Sequence, residues 1–233
     1  MTDDDDFDAK LVAAAFASAA DKGWHRVSAA QAARDAGLDL AHARLRFPTR
    51  RSILKRFGQM ADTYALEGAP AEAAADTVKD RLFDLMMRRI DFLQNHRGGV
   101  IALARLAPLE PGLSAWLACA TLDSMGWLLE GAGVSAQGIP GALRKRGLAA
   151  VWVWGLRAWL RDESADLAAT MAAVDAALSK ADGIAARFTP PGAAPGAVPG
   201  RKPQAAGIAP DADTIAPPRF PDPGAPPAAA PGI

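Results

Sequence analysis

The sequence predicts an all-α protein of about nine helices, with an N-terminal helix-turn-helix head, a C-terminal helical bundle and a disordered tail. Three observations favour this fold class. The alternation of period two that marks strands is absent. The periodic segments are rich in Ala, Leu and Arg, which favour helices. Gly, Pro or helix-capping residues separate one periodic segment from the next.

The first helix is predicted over residues 8–23, and the two short helices of the head follow it. Ser28 precedes Gln31 by three residues, which is capping-box spacing, and Gly37 supplies the positive φ that ends this helix. Asp39 is an expected N-cap for a second short helix over Leu40–Arg46. Pro48 stops that helix.

Longer amphipathic helices fill the rest of the ordered chain. Thr49 is expected to cap the fourth helix, and a break at 68–70 follows as a natural pivot. We expect Gly98 and Gly99 to bend the chain, and residues 131–141 to form a loop. The predicted helices after the head cover residues 52–67, 71–95, a short segment ending at 106, and then 114–130, 142–161 and 164–180.

The tail and the leader differ in composition from this core. Thirteen of the 18 prolines follow residue 188, among Ala and Gly, and such a stretch buries too little apolar surface to offset chain entropy. It is either a Pro-rich interaction or spacer segment or a solvated extension. The predicted organisation is an acidic disordered leader over 1–8, a helix-turn-helix domain over 9–67, a helical domain over 71–187, and a disordered Pro/Ala/Gly-rich tail over 188–233.

Composition excludes several classes of protein. Lys+Arg and Asp+Glu are equal at 26 each, so only local concentrations of charge can attract nucleic acid. The acidic start is unlike a secretory signal, and no segment approaches the roughly 18 apolar residues of a transmembrane helix, so we expect a cytoplasmic protein. The single Cys119 excludes an internal disulfide and is expected in the core.

The strongest local charge lies in residues 26–57, which carry eight Lys or Arg against two Asp. The helix over Leu40–Arg46 is the expected recognition helix, with its apolar side inward and His42, Arg44 and Arg46 outward. Such a helix lies in the major groove of DNA while neighbouring cations bind phosphates. The alternative is that these cations only solvate the faces of short helices.

The order Ser28, Ala36-Gly37 and Phe47-Pro48-Thr49-Arg50 before an apolar pair resembles the N-terminal domain of TetR-like transcriptional regulators. The resemblance implies DNA binding, with Arg50 at the place of a phosphate-contacting Lys. Arg44 stands where that family has a phosphate-contacting Tyr, and Leu40 also departs from the pattern. The DNA-contacting residues expected are Ser28, His42, Arg44, Arg46, Thr49 and Arg50.

A second resemblance lies in the run from Gly141 to Leu148, followed by Trp159-Leu160 and by Asp162-Glu163-Ser164. This pattern is similar to the C-terminal domain of the accessory proteins of coenzyme Q (ubiquinone) biosynthesis. Those proteins share the TetR-like architecture, and the resemblance implies an isoprenoid lipid ligand without DNA reading. Their amphipathic membrane-docking helix is not apparent in the Pro-rich tail. Together the two resemblances cover roughly residues 9–185.

Aromatic and sulfur side chains of the bundle are the expected lining of an apolar pocket, with ordinary core packing as the alternative. The expected pocket residues are Met86, Ile90, Leu103, Trp116, Trp127 and Trp152. Alanines in the last two long helices allow close helix approach, and the TetR resemblance implies that these helices form a homodimer.

No constellation of acid, base or metal ligands points to an enzyme, and no cofactor is expected. The histidines lack a second ligand at i+3 or i+4 spacing, and the carboxylates of Asp162 and Glu163 are explained by helix capping. The predicted function is a dimeric, TetR-like regulator that binds double-stranded DNA and responds to an apolar small molecule. The alternative is a lipid-binding accessory protein of ubiquinone biosynthesis that does not bind DNA.

Overall fold

The structure, a computed structural model, describes residues 3–67 and 77–188. Over these two ranges it contains nine α-helices, two 3₁₀ turns and no strand, which confirms the predicted fold class. The helices are α1 Asp3–Lys22, α2 Ala29–Asp35, α3 Leu40–Arg46, α4 Arg50–Glu67, α5 Val78–Gln94, α6 Arg97–Leu106, α7 Pro111–Gly131, α8 Gly138–Trp159 and α9 Ala168–Phe188. The 3₁₀ turns are Trp24–Arg26 and Ala107–Leu109.

Helix α1 begins well before the predicted start. Its first turn consists of four aspartates, whose charges interact favourably with the positive end of the helix dipole. The expected disordered leader over 1–8 is therefore wrong for residues 3–8, which are helical. Its inner face consists of Leu11, Val12, Ala15, Phe16 and Ala19, which are all buried.

The short helices of the head form largely as predicted. The Ser28 hydroxyl accepts a hydrogen bond from the Gln31 backbone N–H at 3.1 Å, although the reciprocal half of the capping box is missing because the Gln31 amide donates to Asp35 instead. Gly37 has a φ of +67°, and the Asp39 carboxylate accepts from the His42 N–H at 2.7 Å. These local interactions set the bounds of α2 and α3.

The Gly98-Gly99 pair lies inside α6 and does not bend the chain. A Cβ atom on Gly99 would lie 2.6 Å from the Phe16 carbonyl oxygen of α1. The Trp24 indole donates to the Gly99 carbonyl at 2.8 Å. The glycines therefore allow close packing of α1 on α6, and the predicted break lies just before them, at Asn95 and His96 between α5 and α6.

Several other boundaries differ by a few residues. The loop predicted over 131–141 is shorter, because α8 begins at Gly138, and α9 begins at Ala168 instead of 164. Thr77 and Asp80 form a capping box that starts α5 at Val78. The predicted pivot at 68–70, the predicted helical residues 71–76 and nearly all of the predicted tail lie outside the described residues.

The head and the bundle pack against each other. Helix α1 lies against α6, α4 lies against α5 and α7, and α8 pairs with α9, so the described helices belong to one compact unit. Phe16 and Phe57 stack at a centroid distance of 3.9 Å in the core. Cys119 is exposed, so its predicted place in the core is wrong. None of the described helices combines the length and the apolar character needed to cross a bilayer.

Candidate nucleic-acid interface

Four of the six predicted contact residues surround one hollow on the head, with a volume of about 300 Å³. We call it the head hollow. Ser28, Arg44, Thr49 and Arg50 supply its polar rim. Its remaining lining is apolar and consists of Ala29, Ala30, Leu40, Ala43, Phe47 and Pro48. The turns before α2 and α4 bring these distant positions together around α3.

The hydroxyls of Ser28 and Thr49 also accept backbone hydrogen bonds at the starts of α2 and α4. Ser28 caps α2, and the Thr49 hydroxyl accepts from the Ser52 N–H at 3.2 Å while the Ser52 hydroxyl accepts from the Thr49 N–H. A hydroxyl that accepts one bond keeps its own hydrogen to donate. Thr49 lies directly before α4, and an anion at this helix start would meet the positive end of the dipole.

Arg44 and Arg50 are exposed and each binds only a backbone carbonyl among the described contacts. Arg44 donates to the Pro48 carbonyl at 3.2 Å, and Arg50 donates to the Trp24 carbonyl at 2.9 Å. A guanidinium has five N–H donors, so most of each group remains able to bind an anion. The head hollow thus combines two cations, two hydroxyls and an apolar floor.

The other two predicted contact residues, His42 and Arg46, face α1. Asp4 lies 3.3 Å from the His42 Nε2 atom and 3.0 Å from an Arg46 nitrogen. The His42 ring stacks on Phe7 at a centroid distance of 4.3 Å. The expectation that these two side chains face outward together with Arg44 is therefore not met.

Asp8 is the centre of this contact, because both Arg46 and Arg56 bind its carboxylate. Its side chain is only 1% exposed. Arg46 donates to both carboxylate oxygens of Asp8 at 2.5 Å, and Arg56 of α4 reaches the same carboxylate at 2.7 Å. Asp5 adds a second contact to Arg56 at 2.8 Å. We call Asp4, Asp5 and Asp8 the acidic clamp. These contacts raise the pKa of Arg46, chiefly through the hydrogen bond that its guanidinium donates to Asp8.

The acidic clamp changes the charge of the head as a whole. Residues 3–67 contain ten Asp or Glu and ten Lys or Arg, so the basic excess of residues 26–57 is balanced by the acidic start of α1. Helix α3 in addition exposes Leu40 and Leu45, the latter to 82%. The sequence signal for this balance was the aspartate run itself, because its side chains lie on the first turns of α1 and reach cations of α3.

The residues predicted to line a pocket in the bundle do not share one environment. Met86, Ile90 and Trp152 are buried, and Leu103 and Trp116 are half-buried. Trp127 is 65% exposed, so its predicted place in an internal pocket is wrong. The other five remain compatible with either a pocket or ordinary core.

A buried polar cluster beside these residues was not predicted. Arg89 of α5 pairs with Asp62 of α4 at 2.8 Å, donates to Ser124 of α7 at 2.9 Å and lies 4.4 Å above the Trp152 ring. The Ser124 hydroxyl also donates to Asp62. The burial of Arg89 could have been predicted from helical spacing, since Arg89 lies on the same face of α5 as the buried Leu82, Met86 and Leu93.

Comparison with known proteins adds a likeness of fold. No family model and no curated protein matches the sequence. The solved structure of a TetR transcriptional regulator from Nitrosomonas europaea ATCC 19718 aligns with a TM-score of 0.60 and 20% identity, over 75% of this chain and 97% of that one. With the helix-turn-helix and the nine helices of residues 3–67 and 77–188 in place, the chain has the TetR-like fold.

Proposed function

We propose that this protein is a TetR-like regulator that binds double-stranded DNA and contacts its phosphate backbone through the head hollow. The observation that carries the proposal is the convergence of Ser28, Arg44, Thr49 and Arg50 on one surface. Hydroxyls and guanidinium groups are the common partners of phosphate oxygens, and the arginines can bind them in a bidentate manner.

The exposed side of α3 offers few groups for reading bases. Leu40 and Leu45 are its large exposed apolar side chains, and Arg44 is its one Lys or Arg that does not bind the acidic clamp. Apolar side chains can contact only the thymine methyl group in the major groove. We therefore expect phosphate contacts to supply most of the affinity of the head for DNA. The head should discriminate only modestly between DNA sequences.

The proposal extends to a dimer and an effector. Two heads held by α8 and α9 would meet successive half-sites about one DNA turn apart. An apolar small molecule in the bundle would shift the population toward a head spacing that no longer fits. The pair of Arg89 with Asp62 connects α5 to α4, the helix that leaves the head, so a ligand beside this pair would alter the position of α4.

Fluorescence anisotropy with a labelled duplex from the region upstream of the gene tests this proposal. Arg44→Ala with Arg50→Ala should weaken binding and reduce the slope of log K against log salt by about 2, one for each lost phosphate contact. Arg34→Ala is the matched control, because Arg34 is exposed but lies outside the head hollow and binds Gln31. Equal binding by the wild type, the double variant and Arg34→Ala would contradict the proposal.

A second candidate function is favoured by the acidic clamp and by the equal charges of the head. On this alternative the chain uses the TetR-like fold to bind an isoprenoid lipid as an accessory protein of ubiquinone biosynthesis, and the head does not bind DNA. The sequence similarity over Gly141 to Leu148, on α8, supports it.

Mass spectrometry of the gently purified protein separates the two functions. A co-purifying isoprenoid lipid, together with DNA affinity no greater than that of a neutral control protein, would favour the lipid-binding alternative. Delipidated protein that binds the upstream duplex with a steep salt dependence would favour the regulator.

A further inference from the structure

The acidic clamp joins three helices of the head through charges of opposite sign. Its carboxylates come from the first two turns of α1, and their partners His42 and Arg46 come from α3. Arg56 comes from α4. Each partner is a cation, or becomes one when protonated, on or beside the helix-turn-helix.

A carboxylate that binds a guanidinium in a bidentate manner uses the same N–H donors that a phosphate would use. Arg46 gives its Nε and both terminal nitrogens to Asp8 and Asp4. These donors are therefore not available to DNA while the clamp is closed. The His42 ring is held between Phe7 and Asp4 in the same way.

We propose that the acidic clamp is an autoinhibitory contact, in which carboxylates of α1 take the place of DNA phosphates on Arg46, Arg56 and His42. The inference rests on the proposed DNA-binding function. Polyanionic DNA must displace the clamp to gain these contacts, so the closed clamp weakens binding and makes it less sensitive to salt.

The clamp contains a fixed part and a displaceable part. Asp8 is buried, so its pairs with Arg46 and Arg56 are shielded from solvent and salt. Asp4 and Asp5 are about half exposed, and exposed ion pairs are weak and easily screened. Exchange between carboxylate and phosphate therefore begins at Asp4 and Asp5, while Asp8 keeps α1 packed on the head.

The test compares two double variants that change the net charge equally. Asp4→Asn with Asp5→Asn removes the exposed half of the clamp. Asp3→Asn with Asp6→Asn is the matched control, since it neutralises the same turn of α1, and Asp6 pairs with Lys10 instead of a head cation. Full-length proteins are compared by circular dichroism and melting temperature, and then by anisotropy with a labelled random-sequence duplex across a salt series.

Loss of Asp4 and Asp5 should tighten binding several-fold relative to both the wild type and the control, and should make the salt slope steeper, because His42 and one terminal nitrogen each of Arg46 and Arg56 become available to phosphates while Asp8 keeps its own pairs. If the wild type binds DNA and the two variants behave alike, the autoinhibitory contact is overturned and the proposed function stands. If neither the wild type nor either variant binds, the proposed function fails as well. If only the variant Asp4→Asn with Asp5→Asn binds DNA, the result supports both the autoinhibitory contact and the proposed DNA-binding function.

Discussion

Asp162 shows how a single side chain sets the geometry between two helices. It lies after α8 and accepts hydrogen bonds from the backbone and hydroxyl of Thr170 at 2.8 and 2.7 Å, and from those of Ser164 at 3.1 and 2.5 Å. The hydroxyls of Ser164 and Thr170 favour the charged carboxylate and hold the pKa of Asp162 well below its usual range. The predicted capping role is confirmed for Asp162, which accepts from a backbone N–H in the first turn of α9, and not for Glu163, which is exposed.

The lowered pKa makes the contribution of Asp162 dependent on pH. Because the folded state holds the carboxylate charged more firmly than the unfolded chain does, this stabilisation is complete above the ordinary pKa of about 4 and is lost as the pH falls below it. We expect Asp162→Asn to lower the melting temperature by several degrees at neutral pH, with a difference from wild type that shrinks toward pH 3. Glu163→Gln, at the exposed neighbouring position, should change little. A pH-independent difference would contradict this assignment.

Arg89 is the residue whose environment could not be read from composition. Charged residues are rarely buried unless they are paired, and the partners Asp62 and Ser124 are 27 and 35 residues away in sequence. No local pattern links those positions. The same holds for Arg46, whose partner Asp8 lies 38 residues away. Spacing indicated which helices form, whereas pairing between charges depended on how the helices pack.

Breaking this largely buried pair should be costly because it leaves the Asp62 carboxylate without a counter-charge. We expect Arg89→Met to lower the free energy of unfolding by about 3–5 kcal/mol. Asp62→Leu in the same protein should restore part of the loss, since the unpaired charge is then removed. Urea unfolding of both single variants and the double variant measures the coupling. Strictly additive losses would show that the two side chains do not act as a pair.

At the scale of elements, the predicted helices were found because apolar spacing and caps are local signals. Helix α3 has the predicted bounds, since Asp39 caps one end and Pro48 follows the other. Helix α6 differs because a Gly-Gly pair reads as a break, while its real role depends on α1, far away in sequence. The start of α1 differs because an acidic run reads as solvated chain, although it suits a helix N-terminus and meets the cations of the head.

Close approach of α1 and α6 gives the next prediction. Gly99→Ala should destabilise the protein by about 1–3 kcal/mol, because the added Cβ would overlap the Phe16 backbone and side chain. Gly58→Ala in α4 is the matched control, since its Cβ would meet nothing within 4 Å and alanine favours a helix by about 0.5–1 kcal/mol. Thermal unfolding of the two variants should therefore move in opposite directions. A neutral Gly99→Ala would show that the helices can separate at no cost.

For the whole molecule, the distribution of exposed apolar side chains bears on assembly. Helix α8 exposes Ile139, Leu143, Val153 and Trp154, at 88, 66, 42 and 57%. Their spacing places them on one side of the helix, and exposed apolar groups that gather in this way mark interaction surfaces. Helix α9 exposes Met171 and Ile184, at 37 and 55%, besides several alanines. A surface of this kind fits the second copy that the proposed regulator requires.

Charged substitutions on this surface of α8 should abolish dimerisation without unfolding the protein. We expect the wild type to be a dimer by sedimentation velocity, and Leu143→Glu with Val153→Glu to be a monomer, because charges opposed across a two-fold axis repel and lose solvent. The monomer should keep its helical circular dichroism, since both side chains are exposed. Leu45→Glu places the same charge at an exposed leucine of the head and should leave the dimer intact. A monomeric wild type, or a dimer that survives the α8 changes, would remove the α8 surface from the proposed mechanism, and spacing of two heads along DNA would then need another interface.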